Sequence, residues 1–397
     1  MGADPKGVLN GVADFCVRSA GRAELGPLTL NDPRAAFDSL GIFYPRVGGG
    51  LAPVAAPAVR NRGIWTWGYV IYDYQRYLDN MARLKMNMIV IWNDAPPLNS
   101  RDIIAYAHAR GIRVIAGFHW GWGNDHLSLT NPDHRRLVKQ QVLDTYNNEY
   151  HGLGYDGIYF QTITEHKDTV LDGVTVAAAA CAWVNDIGRT FLDRHPGLLI
   201  QFGLHATSIM DNYADLKDLD PHIEIIWEDA GVTPYTYTPT LSLCAGTHLE
   251  QHGVGTLEGT IAYSRKLASF RGNVGFGLCP KGWANLDWDK EFEHHGSFIM
   301  GRQNRALIRR RLESKQPWWD RINRDWIPCY GAAARFYLEI CRACPGPVTA
   351  VGLVEDGLFE TRIQPSVATF AETLWNPGQP ESDLLAFGHS PLFNSLD

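Results

Sequence analysis

From about residue 62 the chain alternates short β-like runs with amphipathic helical stretches, and this order constrains the fold more than any other property of the sequence. Parallel strands need a crossover between them, and a helix is the usual one. The first run, Arg62 to Gly68, leads to Asp73, a helix N-cap residue type, and then to Tyr74, Tyr77, Leu78, Met81 and Leu84, which share one helix face. Asn87 to Asp94 reads as the second strand, followed by a helix from Ser100 to Arg110 that Gly111 stops before a third strand, Ile112 to Phe118. A helix over Pro132 to Tyr146, a strand at Gly157 to Thr164 and an Ala-rich helix from Val174 to Arg194 continue the pattern. Strands at Leu199 to Leu204 and Ile223 to Trp227, a helix near Thr256 to Phe270 and a strand at Asn273 to Leu278 follow. An eighth strand over Ala350 to Val354 precedes the helical stretch Pro365 to Leu374.

Eight such units predict an α/β fold, a closed (β/α)8 TIM barrel over residues 61–397, with a helical insertion near residues 291–345. Residues 1–60, with Gly48 to Gly50 and the Ala-Pro run through Pro57, read as a short N-terminal arm. An open doubly wound sheet is the alternative, but no G-x-G-x-x-G follows the first strand and no G-x-x-x-x-G-K-[ST] occurs, so no nucleotide cofactor is expected.

The net charge is −7, and no basic run exceeds Arg309 to Arg311, which argues against a nucleic-acid partner. No window approaches the ~18 to 20 apolar residues of a membrane span, and the first thirty residues lack a basic start followed by an apolar stretch. The seven cysteines, an odd and scattered set, suit a reducing compartment such as the cytoplasm. Cys341 and Cys344 form a C-x-x-C that follows a helical stretch and reads as ordinary thiols. A metal-dependent hydrolase using His119, His205 and Asp229 lacks the H-x-H or H-E-x-x-H spacing such sites show, so no metal is expected.

In a TIM barrel the chemistry lies where the strands end. Here those ends carry Trp65-Thr66-Trp67, Trp92-Asn93-Asp94, His119-Trp120, Gln161 through Thr164-Glu165-His166, His205, Trp227-Glu228-Asp229 and Lys281-Gly282-Trp283. Thirteen tryptophans exceed what a core usually recruits, so Trp67, Trp92, Trp120, Trp227 and Trp283 are read as a wall on which sugar faces stack. Asp94, His119, Gln161, Thr164, His166, His205 and Lys281 supply polar groups for hydroxyls. Glycoside cleavage needs a proton donor and a second group that activates water, attacks carbon or steadies a substrate acetamide. Glu165, following Ile158 to Phe160 in apolar surroundings, is the donor candidate; Glu228 or Asp229 is the second group, since neighbours on a strand face opposite sides.

The stretch from Asn61 to Asp94, with Arg62, Gly63, Met81, Lys85 and Asn87, resembles the opening of the catalytic barrel in family 20 β-N-acetylhexosaminidases and their relatives in families 84 and 67. SVATFAETLWNP, Ser366 to Pro377, is similar to the last barrel helix of family 84 enzymes. The resemblance implies an exo-acting glycoside hydrolase that removes a terminal β-linked N-acetylhexosamine, with Glu165 as acid and Arg62 among the residues that bind substrate. Retaining hexosaminidases carry an acidic residue beside that Glu, where this chain has Thr164. The departure raises two alternatives: an inverting α-glucuronidase-like hydrolase, whose uronate would meet His166, Lys167 or Lys281, and a non-catalytic barrel that binds carbohydrate.

Overall fold

The structure, a computed structural model, describes residues 57–118, 120, 127–161, 168–204, 206–227, 257–270, 276–278, 296–301, 303–327, 330–353, 360 and 362–393. Eight parallel strands close a barrel: β1 (Asn61–Trp67), β2 (Met88–Trp92), β3 (Arg113–Gly117), β4 (Gly157–Gln161), β5 (Leu199–Leu204), β6 (Ile223–Trp227), β7 (Phe276–Leu278) and β8 (Val348–Leu353). Each pairs with its neighbours in sequence, and β8 returns to β1 with Asn61 opposite Thr349 and Trp65 opposite Leu353, so no sheet edge is left open. The helices around it are α1 (Tyr74–Arg83), α2 (Ser100–His108), α3 (Pro132–Thr145), α4 (Val176–Arg194), α5 (Leu257–Phe270), α6 (Arg305–Trp326), α7 (Tyr330–Ala343), α8 (Pro365–Trp375) and α9 (Glu381–Gly388). The (β/α)8 barrel expected from the alternation is the observed architecture.

The signals that mark the elements are local. Asp73 accepts the Arg76 amide (3.1 Å) and so caps α1. Gly111 sits at φ 63°, in the left-handed region, and its amide closes the end of α2 on the His108 carbonyl (2.9 Å). The predicted insertion is shorter than expected. Helix α7 packs against both α5 and α8 and is the barrel's own helix between β7 and β8; only the stretch 296–304 and α6 are extra among the described residues.

Side chains alternate between two layers along every strand. Trp65, Met88, Val90, Trp92, Ile115, Tyr159, Ile226 and Val351 come from six strands and touch one another, which only the barrel interior allows. Ile64, Ile89, Ile91, Val114, Phe160, Phe202, Leu204, Ile225 and Trp227 have the opposite parity and pack against the helices. Gly117 is needed where the interior narrows: a Cβ there would lie 2.8 Å from that of Trp92. Toward the N-terminal ends of the strands the interior is polar. Gln201 donates to Glu224 (2.7 Å), Thr349 donates to the other Glu224 oxygen, Asn61 donates to Thr349 (2.8 Å) and Arg113 donates to Asn61. The network pairs most of these groups out of water, while the Gln201 side-chain oxygen finds no hydrogen-bond donor among the described residues.

The start and end of the barrel are stitched together on the outside. The amides of Ala58 and Val59 donate to the carbonyls of Trp375 and Leu374, both at 3.0 Å. Lys85 and Glu372 form an ion pair at 2.7 Å with side chains 1% and 0% exposed, and the Lys85 ammonium lies 4.6 Å from the Trp375 ring centre. Gln379 donates to the second Glu372 oxygen (3.1 Å).

Candidate functional site

The C-terminal ends of the strands form one rim, and beneath it the interior is closed by three aromatic rings. Trp65 and Tyr159 have ring centres 5.0 Å apart, Trp92 and Tyr159 5.5 Å, and Trp65 and Trp92 5.7 Å, all tilted or edge-on rather than parallel. All three side chains are buried. They make an apolar floor that closes the interior beneath the rim. Asp94 follows two residues beyond the end of β2 and is exposed to solvent at the same rim. Asn93, buried beside it, reaches the Tyr69 carbonyl at 3.5 Å.

Of the residues proposed for the sugar wall, the structure separates those it describes. Trp92 belongs to the floor and is 1% exposed, so its role is to shape the cup from below. Trp120 is stacked on Phe160 (3.3 Å between centres, 5° between planes) and faces Phe191 of α4. Trp227 packs on Tyr263 of α5 at 5.1 Å. Both belong to the layer between strands and helices and are removed from the wall, Trp227 by its outward position on β6 and Trp120, three residues past the end of β3, by its packing on Phe160 and Phe191. Much of the tryptophan excess is therefore packing after all, with Trp65, Trp92, Trp120, Trp183, Trp227 and Trp319 among the largest fully buried side chains.

Arg62 is corrected for a different reason. It has the outward parity of Ile64 and lies at the N-terminal end of β1, opposite the rim. Its guanidinium donates to the carbonyls of Val59 (2.7 Å), Arg60 (2.9 Å) and Lys85 (2.8 Å) and lies 5.1 Å from the Trp375 ring centre, and burial lowers its pKa to about 9. Its neighbour Asn87 accepts the Arg62 amide (2.8 Å). The two stretches that resemble the hexosaminidase barrel thus meet each other, through Arg62, Lys85, Glu372 and Trp375.

Trp67 and Gln161 occupy the last positions of β1 and β4. Their side chains, together with His119, Thr164, Glu165, His166, Lys167, His205, Glu228, Asp229, Lys281 and Trp283, lie outside the described residues.

One rim carboxylate escaped the sequence reading. Glu360, fully buried, follows β8 and accepts hydrogen bonds from the backbone amides of Tyr72 and Asp73 and from the Tyr69 hydroxyl (3.1 Å). Burial pushes its carboxyl up to about 8, against the opposing pull of these donors and of Arg311. A carboxyl whose pKa is higher folded than unfolded contributes stability that is complete below about 4.5 and is lost as pH climbs through about 8. The expected result is that Glu360→Gln, which keeps a neutral group of the same shape, gains on the wild type in unfolding free energy between pH 5 and pH 9, by up to about a few kcal/mol, and its thermal midpoint rises relative to the wild type accordingly. Parallel midpoint curves for the two proteins across that range would show that Glu360 is not the group responsible.

The Cys341 thiol is pushed up to about 12, by burial first and then by Cys344 beside it, which leaves it protonated and a poor nucleophile or ligand. No group of three or more His, Cys, Asp or Glu side chains suited to a metal ion occurs among the described residues. No helix among them is long and apolar enough to cross a membrane.

No protein-family model matches the chain, and neither does any curated protein. Among solved structures it is similar to CpGH84B, with a TM-score of 0.46 and 12% identity over 83% of this chain and 51% of that one. A variant of the O-GlcNAc hydrolase of Thermobaculum terrenum aligns with a TM-score of 0.49 and 12% identity, over 85% of this chain and 64% of that one. The C-terminal domain of a putative chitinase from Desulfitobacterium hafniense aligns with a TM-score of 0.38 and 11% identity, over 56% and 66%. The chain thus spans about half to two thirds of the length of these structures.

Proposed function

We propose that the protein is an exo-acting glycoside hydrolase that removes a terminal N-acetylhexosamine, with Glu165 as the general acid. The observation that carries this reading is the aromatic floor of Trp65, Trp92 and Tyr159 beneath a rim at which the sequence places Asp94, Glu165 and Glu228. Such a floor gives the barrel mouth an apolar base, and the acetal oxygen of a glycoside bound above it needs a proton from a carboxylic acid. Counting in twos along the sequence from the inward-facing Glu224 and Ile226 favours Glu228 over Asp229 as the second carboxylate. The choice of an N-acetylhexosamine rests on the resemblance of residues 61–94 and 366–377 to the hexosaminidase barrel.

Under this mechanism Glu165 holds its proton until the bond to the leaving oxygen lengthens, and Glu228 either orients water on the opposite face or stabilises the acetamide as it attacks the anomeric carbon. The two routes give opposite anomers of the first product. The test is a panel of nitrophenyl glycosides covering β-GlcNAc, β-GalNAc and α-glucuronate, with the initial anomer followed by NMR. Turnover of a hexosaminide is expected. Turnover of the glucuronide alone, with inversion, would replace the reading by its uronate alternative, and sugar binding without turnover would make the protein a binding barrel.

A further inference from the structure

The loop between β1 and α1 forms part of the rim, and three elements distant in sequence hold it. From seven residues beyond the end of β8, Glu360 takes the Tyr72 and Asp73 amides on one carboxylate oxygen (3.0 Å for Asp73) and the Tyr69 hydroxyl on the other. From α6, the Arg311 guanidinium lies 4.2 Å from the centre of the Tyr72 ring and 4.8 Å from that of Tyr69. From the stretch before α6, the Gln303 amide donates to the Tyr72 carbonyl (2.9 Å). Amides just ahead of a helix ordinarily turn to water or to a nearby cap. Here a fully buried carboxylate 287 and 288 residues away does that work, while Asp73 serves α1 through Arg76.

We propose that Glu360 is a positioning residue of the barrel mouth: it and Arg311 hold the loop between β1 and α1 in one conformation, so that the stretch 296–304 and α6 set the shape of the rim. In consequence substrate affinity, which on the hydrolase reading above depends on that rim, is governed partly by a residue that never touches sugar. The extra helix late in the barrel is then part of the site's architecture rather than an appendage.

The test follows backbone hydrogen exchange at Tyr72 and Asp73 together with steady-state kinetics on the hexosaminide. Glu360→Ala is expected to speed exchange at both amides on the order of tenfold or more and to raise KM by a similar factor with a smaller change in kcat. Glu360→Gln, which retains an acceptor for both amides, should restore both to near wild type. If Glu360→Ala does not fold, Arg311→Met serves in its place, with the same two amides expected to exchange faster. Exchange within about twofold of wild type in a folded Glu360→Ala protein, or in Arg311→Met where that variant is needed, would overturn the proposal. The exchange readout needs no substrate, so a wild type that hydrolyses no glycoside would sink the hydrolase reading while exchange alone still decided the role of Glu360.

Discussion

Glu165→Gln is expected to lower turnover of an unactivated hexosaminide by roughly a hundred- to ten-thousandfold while leaving the fold intact. The amide cannot give up a proton, so the leaving oxygen departs as an alkoxide, and the loss should be greatest where that oxygen is most basic. A nitrophenyl leaving group carries its own charge well, and with such a substrate the first step should be affected far less. The comparison of an alkyl and a nitrophenyl glycoside therefore separates a lost acid from general damage to the site, which would penalise both equally. Near-normal turnover of the alkyl glycoside by the variant would remove Glu165 from the role.

The largest effect on stability is expected from Lys85→Ala, about 3–5 kcal/mol. The substitution leaves the Glu372 carboxylate in a site where both partners are almost completely shielded from water, without the cation that sits 2.7 Å from it. Backbone strain does not confuse the result, since Lys85 lies at φ 59° and alanine is no better suited to that conformation than lysine. Denaturant unfolding measures the loss directly. The double variant Lys85→Met with Glu372→Leu should recover much of it, because it removes the buried charges along with their attraction. A double variant as unstable as Lys85→Ala would mean that packing around Trp375 and Phe387, rather than charge, governs this corner.

The order of strands and helices was legible because each unit carries its own punctuation, as Asp73 and Gly111 show. The facing of side chains was much less so. In a parallel barrel both sides of a strand are buried, so the run Ile223 to Trp227 reads as almost uniformly apolar, and Glu224 alone marks the interior side. Counting in twos from that residue would have set Trp227 on the outside and favoured Glu228. Trp120 lies three residues past the end of β3, where alternation no longer applies; what turns it outward is its stack on Phe160, a contact that the linear order of residues does not announce. Glu360 was invisible for the same reason, since its partners at Tyr69, Tyr72 and Asp73 lie almost the whole barrel away along the chain.

The joining of Ala58, Val59 and Lys85 to Glu372 and Trp375 also has a meaning in time. During synthesis β1 emerges early and must wait for β8 and α8, nearly three hundred residues later, before both of its flanks are covered. Until β8 has been made the growing sheet has open edges, and until Glu372 has been made Lys85 lacks its counter-charge, so cooperative closure belongs to the last stretch of translation. A ribosome paused before β8 would hold a chain prone to pair with other strands, whereas a circular permutant that places α8 and α9 ahead of β1 should supply Glu372 before Lys85 and still leave the sheet open until β8 is made.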